Sequence, residues 1–265
     1  MQQARDFLEE SDALAALLQN LPAEDWTTAT LFKNWTINDV VVHLYYWNIG
    51  ADLALVDPDA FQHRAAQVVA ALGDGGLRPV ENAAIAERGA ALFRAWQAQY
   101  RDMADRWATV DPKTRVAWIG PSMSARSSLS ARQMETWAHA QAVFDLLGRR
   151  RSESDRIRNV VMLGVNAFGW SHKVQGLPVP ERMPYLSLTA PSGAIWTFGE
   201  PDPSERIKGS AVAFAQVVTQ TRNVADTDLQ VTGTVARSWM HHAQCFAGPK
   251  ETPPKPGARH IQGAD

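Results

Sequence analysis

The chain has 265 residues, of which 45% are hydrophobic and 20% are charged, a composition typical of a globular protein rather than a disordered one. Its formal net charge is -2 and it has no long basic run, so binding to a nucleic acid is not expected. The single cysteine, Cys245, excludes an internal disulfide framework and suits a reducing, cytoplasmic compartment. The acidic, amphipathic N-terminus is unlike a signal peptide, and no apolar run reaches the roughly 18 residues of a membrane span.

The first half of the chain has the periodicity of α-helices. Apolar residues recur at helical spacing over 3–20, 36–56, 81–108 and about 130–148. Capping boxes, in which a hydroxyl side chain precedes an acid or amide by three residues, are expected at Thr36 and Ser130. Residues 57–79 are mixed, and the glycine-rich stretch 73–76 is a helix breaker. These segments predict a four-helix bundle over residues 1–152.

The second half changes character and predicts a smaller α+β domain over residues 153–250. The predicted elements are helix 154–173, strands 185–190 and 194–199, helix 210–220, strand 228–233 and helix 234–247. The turn residues Pro191, Ser192 and Gly193 separate the first two strands and predict a hairpin. Prolines and glycines follow Gly248, so residues 251–265 are expected to form a flexible tail.

Two helical segments carry a candidate metal site. Glu135 and His139 are four residues apart, a spacing that turns through about 400° on an α-helix, so both side chains leave one face. His43 lies in the middle of another helix, among valine, leucine, tyrosine and tryptophan. Burying a carboxylate and two imidazoles without a partner costs several kcal/mol, which a divalent cation would offset. Three ligands with room for water or substrate are typical of a catalytic metal rather than a closed structural one.

Other interpretations of these residues remain open. Glu135 and His139 alone would also suit a solvated ion pair, and the three residues together would suit a buried hydrogen-bonded network. Tryptophans near the site, Trp35, Trp47 and Trp137, are candidates for a pocket wall, although core filling is the ordinary role of most tryptophans.

The remaining histidines and the cysteine predict no second site. His241 and His242 point about 100° apart on a helix, so they are interpreted as ordinary surface or interface histidines. Cys245, among small and apolar residues, is interpreted as a buried hydrophobe rather than a nucleophile. The sequence has no phosphate-binding glycine loop, nucleophile elbow or dinucleotide fingerprint.

Four stretches resemble the DinB-like metalloenzyme superfamily and, within it, the actinobacterial mycothiol-dependent maleylpyruvate isomerase-like proteins. The stretches are NWTINDVVVHL (34–44), GPSMSARSSLSARQMETWAHAQAVFDLLG (120–148), LTAPSGAIWTFG (188–199) and VVTQTRNVADTDLQVTGTVARSWMHHAQCFAGP (217–249). The first two match the family's metal motif, a histidine of the second helix and E-x-x-x-H of the fourth, at His43, Glu135 and His139. The last two resemble the family's C-terminal α/β domain, which closes over the bundle site.

The resemblance implies an α+β protein made of a DinB-like four-helix bundle and a smaller C-terminal α/β domain. It implies a divalent metal, zinc first with nickel or manganese as alternatives, that activates a small thiol such as mycothiol. Arg222 is the candidate catalytic cation for an anionic substrate or thiol, and Trp47 and Arg222 are the candidate cofactor-binding residues. A surface arginine is the alternative for Arg222.

The chain also departs from the family pattern at positions where relatives carry polar or charged residues. Four such positions hold Asn48, Ala142, Met162 and Asn166, which indicates a more apolar pocket and a changed substrate. The sequence therefore predicts a metal-dependent isomerase or thiol transferase that acts on a small electrophile, as a monomer or homodimer. Two alternatives are a natural-product tailoring isomerase, cyclase or hydrolase that needs no thiol, and a non-catalytic protein that binds an apolar ligand.

Overall fold

The computed structural model describes residues 1–72 and 76–263, which form two compact units, Met1–Val143 and Phe144–Asp265. The first unit is mainly helical and the second is mixed, which confirms the α+β class. The division falls before the predicted boundary at residue 152. The reason is that Phe144 and Asp145, in the last turn of a helix, contact residues further along the chain: the Arg151 guanidinium lies 4.7 Å from the Phe144 ring centroid, and Asp145 binds Arg222.

In its described residues, the first unit contains six α-helices, of which the shortest has seven residues. They are α1 (Gln2–Leu18), α2 (Ile37–Val56), α3 (Pro58–Leu72), α4 (Arg78–Ala84), α5 (Gly89–Ala108) and α6 (Ala125–Leu146), with the short hairpin β1 (Arg115–Val116) and β2 (Met123–Ser124) before α6. Helices α1 and α2 both pack against α5. Trp96, Trp107 and Trp137 are fully buried, so these tryptophans fill the core.

Two helix boundaries of this unit differ from the prediction. The predicted helix 81–108 is divided, because the chain leaves α4 after Ala84 and Gly89 takes a φ of 58° at the start of α5. Helix α6 begins at Ala125, where Ser124 Oγ accepts a hydrogen bond from Ser127 N at 3.2 Å. Ser130 therefore lies inside α6 instead of capping it.

The region predicted as mixed is also helical in large part, since α3 occupies Pro58–Leu72. Residues 73–75 of the predicted glycine-rich breaker lie outside the described residues. None of the helices in the described part of the chain is long and apolar enough to cross a membrane.

The described part of the second unit combines four strands with four α-helices. In chain order the described elements are α7 (Arg158–Asn166), α8 (Phe168–Val174), β3 (Tyr185–Thr189), β4 (Ile195–Phe198), β5 (Arg206–Ser210), α9 (Ala211–Val218), β6 (Gln230–Thr232) and α10 (Thr234–His242). The sheet order is β4-β3-β5-β6, with β3 antiparallel to β4 and parallel to β5, and β5 antiparallel to β6. The β3–β4 pairing confirms the predicted hairpin. The predicted helix 154–173 is interrupted at Ala167, between α7 and α8.

The C-terminal segment is hydrogen bonded to the rest of the second unit. Asn223 Nδ2 donates to the Pro254 carbonyl at 2.8 Å, and Arg259 Nη1 donates to the Gln220 carbonyl at 2.6 Å. The Gln262 amide also donates to a backbone carbonyl, at 2.8 Å. Residues 251–265 are predicted to be a flexible tail, but these bonds attach Pro254, Arg259 and Gln262 to the second unit. Proline and glycine prevent regular secondary structure here without preventing such hydrogen bonds.

Candidate metal centre

His43 is presented by α2, a helix with a well-defined start. Thr36 Oγ1 accepts a hydrogen bond from Asp39 N at 3.1 Å, and Asp39 Oδ2 accepts one from Thr36 N at 2.8 Å, which is the predicted capping box. Most of α2 is apolar and buried, so packing determines which side of the helix points inward. The His43 side chain is 12% exposed, and its Nε2 lies 3.5 Å from Glu135 Oε2 on α6.

Glu135 and His139 lie one turn apart on α6 and meet His43 at one point. His139 Nε2 is 3.2 Å from Glu135 Oε2, the same oxygen that lies near His43 Nε2. One potential ligand atom from each residue lies within 4.8 Å of the other two. The structure thus brings together the three residues that the sequence predicts as metal ligands.

The spacing of these atoms is compatible with a bound divalent ion. Charge-assisted N–H···O bonds are normally about 2.7–2.9 Å long. The inner contacts of Glu135, at 3.2 and 3.5 Å, are longer. Ligands held at about 2.0–2.2 Å from a tetrahedral zinc stand about 3.3–3.6 Å from one another. Two imidazole nitrogens and a carboxylate oxygen therefore fit a zinc-like divalent cation, and they fit nickel or manganese as well.

Charge is unevenly distributed over the three side chains. Burial raises the pKa of Glu135, but hydrogen bonds from His139 and His43 outweigh it and hold this pKa well below its usual value. Burial lowers the pKa of His43, but hydrogen bonds with Glu135 and Glu81 raise it to about 8. Burial and the nearby charge of His43 lower the pKa of His139. A divalent cation would therefore find an ionised carboxylate and a neutral His139, and it would displace a proton from His43.

Aromatic rings from the loop before α2 cover one side of the cluster. Trp35 stacks on His139 with ring centroids 5.4 Å apart and planes 4° apart, and Phe32 meets the same imidazole edge-on at 5.1 Å. Between them, Lys33 and Asn34 have φ values of 50° and 57°, in the left-handed region that non-glycine residues rarely adopt. This tight turn lets both rings reach His139. The rings restrict the imidazole and form an apolar wall beside it.

Glu81 of α4 belongs to the site, although the sequence analysis does not identify it. Its carboxylate is buried, and Oε1 accepts hydrogen bonds from His43 Nδ1 at 2.9 Å and from Trp47 Nε1 at 2.8 Å. Burial raises the pKa of Glu81, but its hydrogen bonds with His43 and Trp47 outweigh that effect and lower the pKa. Glu81 lies 38 residues from His43 in the chain, so no helical spacing signals their contact.

Trp47, predicted to bind a cofactor, lies beside His43 and is hydrogen bonded to Glu81. Its ring centroid lies 6.3 Å from that of His43, and the residue is 9% exposed. Because its indole N–H is donated to Glu81, this group is already engaged within the protein. The structure therefore places Trp47 behind His43, as a hydrogen-bond donor to a neighbour of the cluster.

A second buried polar pair lies one turn before Glu135 on α6. Arg132 Nε donates to Asn48 Oδ1 of α2 at 3.0 Å, and both side chains are buried. Burial lowers the pKa of Arg132 to about 10, which leaves it cationic at neutral pH, and the charges of Glu135 and Glu81 oppose this shift. Asn48, one of the departures from the family pattern, is thus the neutral partner of a buried guanidinium.

Arg222, predicted to be catalytic and to bind a cofactor, lies in the second unit in a buried ion pair. Its Nη1 and Nη2 donate to the two carboxylate oxygens of Asp145 at 2.8 and 2.6 Å, and Nη1 also donates to the Thr221 carbonyl. A bidentate pair of this kind orients both side chains rigidly. These contacts hold the Arg222 guanidinium in a buried ion pair, and its catalytic and cofactor-binding role stays a prediction.

His242 and Cys245 differ from their predicted environments. His242 is buried rather than at the surface, with its ring T-shaped against His172 at a centroid distance of 4.7 Å. Burial, together with the charges of His172 and His241, lowers the pKa of His242 to about 4. Trp239 and His242, three residues apart, share the buried side of α10, a periodicity that the sequence contains. Cys245 is half-buried rather than buried.

Fold and site together define a class of protein. It has a helical bundle in which two helices contribute two histidines and a glutamate to one cluster, and an α+β unit follows the bundle in the chain. Comparison with known proteins identifies the family. The family model described as the mycothiol maleylpyruvate isomerase N-terminal domain matches residues 7–144, about half of the chain. The chain belongs to this family, as the resemblance of its sequence stretches predicts.

Relatives and solved structures extend the comparison beyond the first unit. Two uncharacterised proteins of Mycobacterium tuberculosis, Rv0036c of strain H37Rv and MT0041 of strain CDC 1551 / Oshkosh, are each 35% identical over 247 residues, which cover 92% of this chain and 95% of theirs. A crystal structure of a histidine-to-alanine mutant of the mycothiol-dependent maleylpyruvate isomerase matches with a TM-score of 0.55 at 14% identity, over 86% of this chain and 92% of that one. A second structure of that isomerase matches with a TM-score of 0.52 at 15% identity, over 82% and 87%. At such identities, these two matches show the fold alone.

Proposed function

We propose that this chain is a metal-dependent enzyme of small-molecule metabolism that uses a thiol such as mycothiol. The reaction class is isomerisation of a small electrophilic substrate, or transfer of the thiol to it. The observation that carries the proposal is the convergence of His43 Nε2, His139 Nε2 and a Glu135 oxygen at the spacing of ligands around one ion. Membership of the mycothiol maleylpyruvate isomerase family supports the thiol and the isomerisation.

His43, Glu135 and His139 would hold the ion, with zinc as the first choice and nickel or manganese as alternatives. When bound, such an ion stabilises a thiolate at neutral pH and polarises a substrate carbonyl. The Glu135 side chain is 23% exposed, so the cluster is accessible from solvent. Phe32 and Trp35 shield His139 on one side and offer an apolar surface to the organic part of a thiol or substrate.

The charges around the cluster favour an anion as the fourth ligand. The pKa of Glu81 and that of Glu135 are both lowered, so both carboxylates are ionised at neutral pH, and Arg132 is cationic. A divalent cation bound by two neutral imidazoles would leave this set of two carboxylates, one guanidinium and the ion with one positive charge in excess. A thiolate would neutralise it, and neutral sets of charges are less costly to bury.

We also propose that the ligand is a small molecule rather than a nucleic acid or membrane, and that the chain acts as a monomer or homodimer. A cytoplasmic, reducing compartment suits both a thiol cofactor and a protein with one cysteine. Maleylpyruvate, the substrate named for the isomerase of similar fold, is the probe with which to begin.

The test is turnover of maleylpyruvate by the zinc-loaded protein, with and without mycothiol. We expect turnover only when mycothiol is present. Glu135→Gln should lower the rate by about 100-fold or more, because it removes a charged ligand. Loss of a residue that only hydrogen bonds to a metal ligand already costs about 10–100-fold. Glu87→Gln, a change of the same kind at an exposed position, should leave the rate unchanged.

Two results would contradict the proposal and point to the alternative functions. Turnover that does not depend on a thiol would indicate a tailoring enzyme that uses the bundle alone. No turnover, combined with an apolar ligand that co-purifies and is recovered unchanged after incubation, would indicate a binding protein.

A further inference from the structure

The buried carboxylate of Glu81 calls for an explanation beyond packing. Glu81 is 2% exposed, and an ionised carboxylate is costly to remove from water unless it accepts hydrogen bonds. It lies on α4, a helix of only seven residues that packs against α2. An apolar side chain would fill this position at a lower cost.

Both described partners of the Glu81 carboxylate lie on α2. Oε1 accepts from His43 Nδ1 at 2.9 Å and from Trp47 Nε1 at 2.8 Å. His43 and Trp47 are four residues apart, so one turn of α2 presents both donors to a single oxygen. The Trp47 indole has only a donor, and an ionised carboxylate has no hydrogen to donate. The ring nitrogen of His43 that faces this carboxylate oxygen therefore carries the hydrogen.

We propose that Glu81 is a positioning residue that prepares His43 for metal binding, an inference that rests on the proposed metal site. With Nδ1 protonated and held by Glu81, the lone pair of a neutral His43 lies on Nε2, the nitrogen that faces Glu135. The carboxylate also increases the basicity of that nitrogen and restricts rotation of the ring. Trp47 assists by holding the carboxylate in place.

Three variants separate the contributions of the Glu81 charge, the Glu81 acceptor oxygen and the Trp47 indole donor. Glu81→Gln keeps an acceptor oxygen for both donors and removes the charge. Glu81→Ala removes the acceptor as well, and Trp47→Phe removes only the second donor. Glu87→Gln, at an exposed position close by in the chain, is the matched control. Thermal unfolding of each protein after chelator treatment shows whether the variant folds.

The first readout is zinc affinity, measured by competition with a chromophoric chelator. We expect about 10-fold weaker binding for Glu81→Gln and up to about 100-fold for Glu81→Ala, the range found for outer-sphere partners of metal-bound histidines. Trp47→Phe should weaken binding less than Glu81→Ala, and Glu87→Gln should bind like the wild type.

The second readout is the protonation pattern of His43 in the zinc-loaded protein, from long-range nitrogen–proton NMR correlations. If Glu81 only filled space in the core, its substitution would not change this protonation pattern. We expect a hydrogen-bonded Nδ1–H in the wild type and in Glu81→Gln, and loss of its hydrogen-bonded shift in Glu81→Ala.

Two outcomes would overturn the inference in different ways. Zinc binding and a His43 spectrum that are unchanged in folded Glu81→Ala would contradict the role of Glu81 alone. Absence of zinc binding by the wild type would contradict the proposed function, and the role of Glu81 in metal binding would fall with it.

Discussion

At the residue scale, His43 makes contacts of different lengths on its two sides. Its Nδ1 lies 2.9 Å from Glu81, a normal charge-assisted hydrogen bond, whereas its Nε2 lies 3.5 Å from Glu135. The hydrogen bond to Glu81 is thus short enough to orient the imidazole ring. The longer separation between His43 Nε2 and the Glu135 oxygen is within the range found between two ligands of one ion. The two contacts of His43 involve different residues, so each can be altered separately by substitution of Glu81 or of Glu135.

The residues of the site differ in how far the sequence predicts them. Glu135 and His139 are identified by their four-residue spacing, and His43 by its place in an apolar helix and by the family motif. Glu81 has no such signal, because its contact with His43 depends on how α4 packs against α2. Arg222 likewise has a partner, Asp145, that lies 77 residues away. Long-range pairs of this kind follow from tertiary packing.

His242 gives a prediction about acid stability. Its pKa is about 4 in the fold, below the usual 6.5, so the unfolded chain binds its proton more readily. The contribution of neutral His242 to the free energy of unfolding is fully present above about pH 6.5 and is lost as the pH falls towards 4, by at most about 3.4 kcal/mol. Urea unfolding of the wild type at about pH 7.5 and pH 4.5 should show this loss.

The matched variants for this prediction are His242→Gln and His63→Gln. His242→Gln removes the buried imidazole, so its stability should depend less on pH than that of the wild type. His63 is exposed on α3, and its substitution should leave the pH dependence unchanged. If His242→Gln and the wild type lose the same free energy of unfolding between about pH 7.5 and pH 4.5, the loss does not come from His242.

At the element scale, the start of α10 is held by a carboxylate from another part of the second unit. Glu205 accepts hydrogen bonds from the amides of Thr234, Val235 and Ala236 at 2.7, 3.1 and 2.9 Å. These amides have no partner within the helix, and a negative charge there also interacts favourably with the helix dipole. Gly233 permits the close approach, because a Cβ at this position would collide with the Glu205 carboxylate.

Glu205→Ala should therefore destabilise the protein by about 1–2 kcal/mol, the usual cost of losing a helix cap. Gly233→Ala should cost more, since its φ of 97° strains any other residue and the added methyl displaces Glu205. Urea unfolding at neutral pH measures both. Glu200→Ala, at an exposed position, is the control. A Glu205→Ala variant as stable as this control would show that the cap contributes little.

Elements with strong local signals are those that the sequence predicts well. The capping box at Thr36 marks the start of α2, and the Pro191–Gly193 turn marks the β3–β4 hairpin. Strand β5 is missed, because only Ile207 of its five residues is buried and charged residues flank it. Its place beside β3 and β6 comes from sheet pairing, which leaves no periodic pattern in the chain.

At the scale of the whole molecule, the family match and the first unit nearly coincide, since the matched residues 7–144 contain all three candidate ligands. The mycobacterial relatives align over 92% of the chain, so the similarity extends through the second unit. The sequence predicts this two-part organisation from the change from helical to mixed patterns. It does not predict the division after Val143, which depends on contacts made by the end of α6.

The metal content of the purified protein tests the central claim most directly. Elemental mass spectrometry should be applied to the wild type, His139→Ala and His63→Ala after reconstitution with zinc, nickel or manganese. We expect about one equivalent of metal in the wild type and in His63→Ala, and loss of it in His139→Ala, because two ligands hold a divalent ion far less tightly than three. No metal in the wild type, or full retention in His139→Ala, would contradict the proposal that His43, Glu135 and His139 form a metal site.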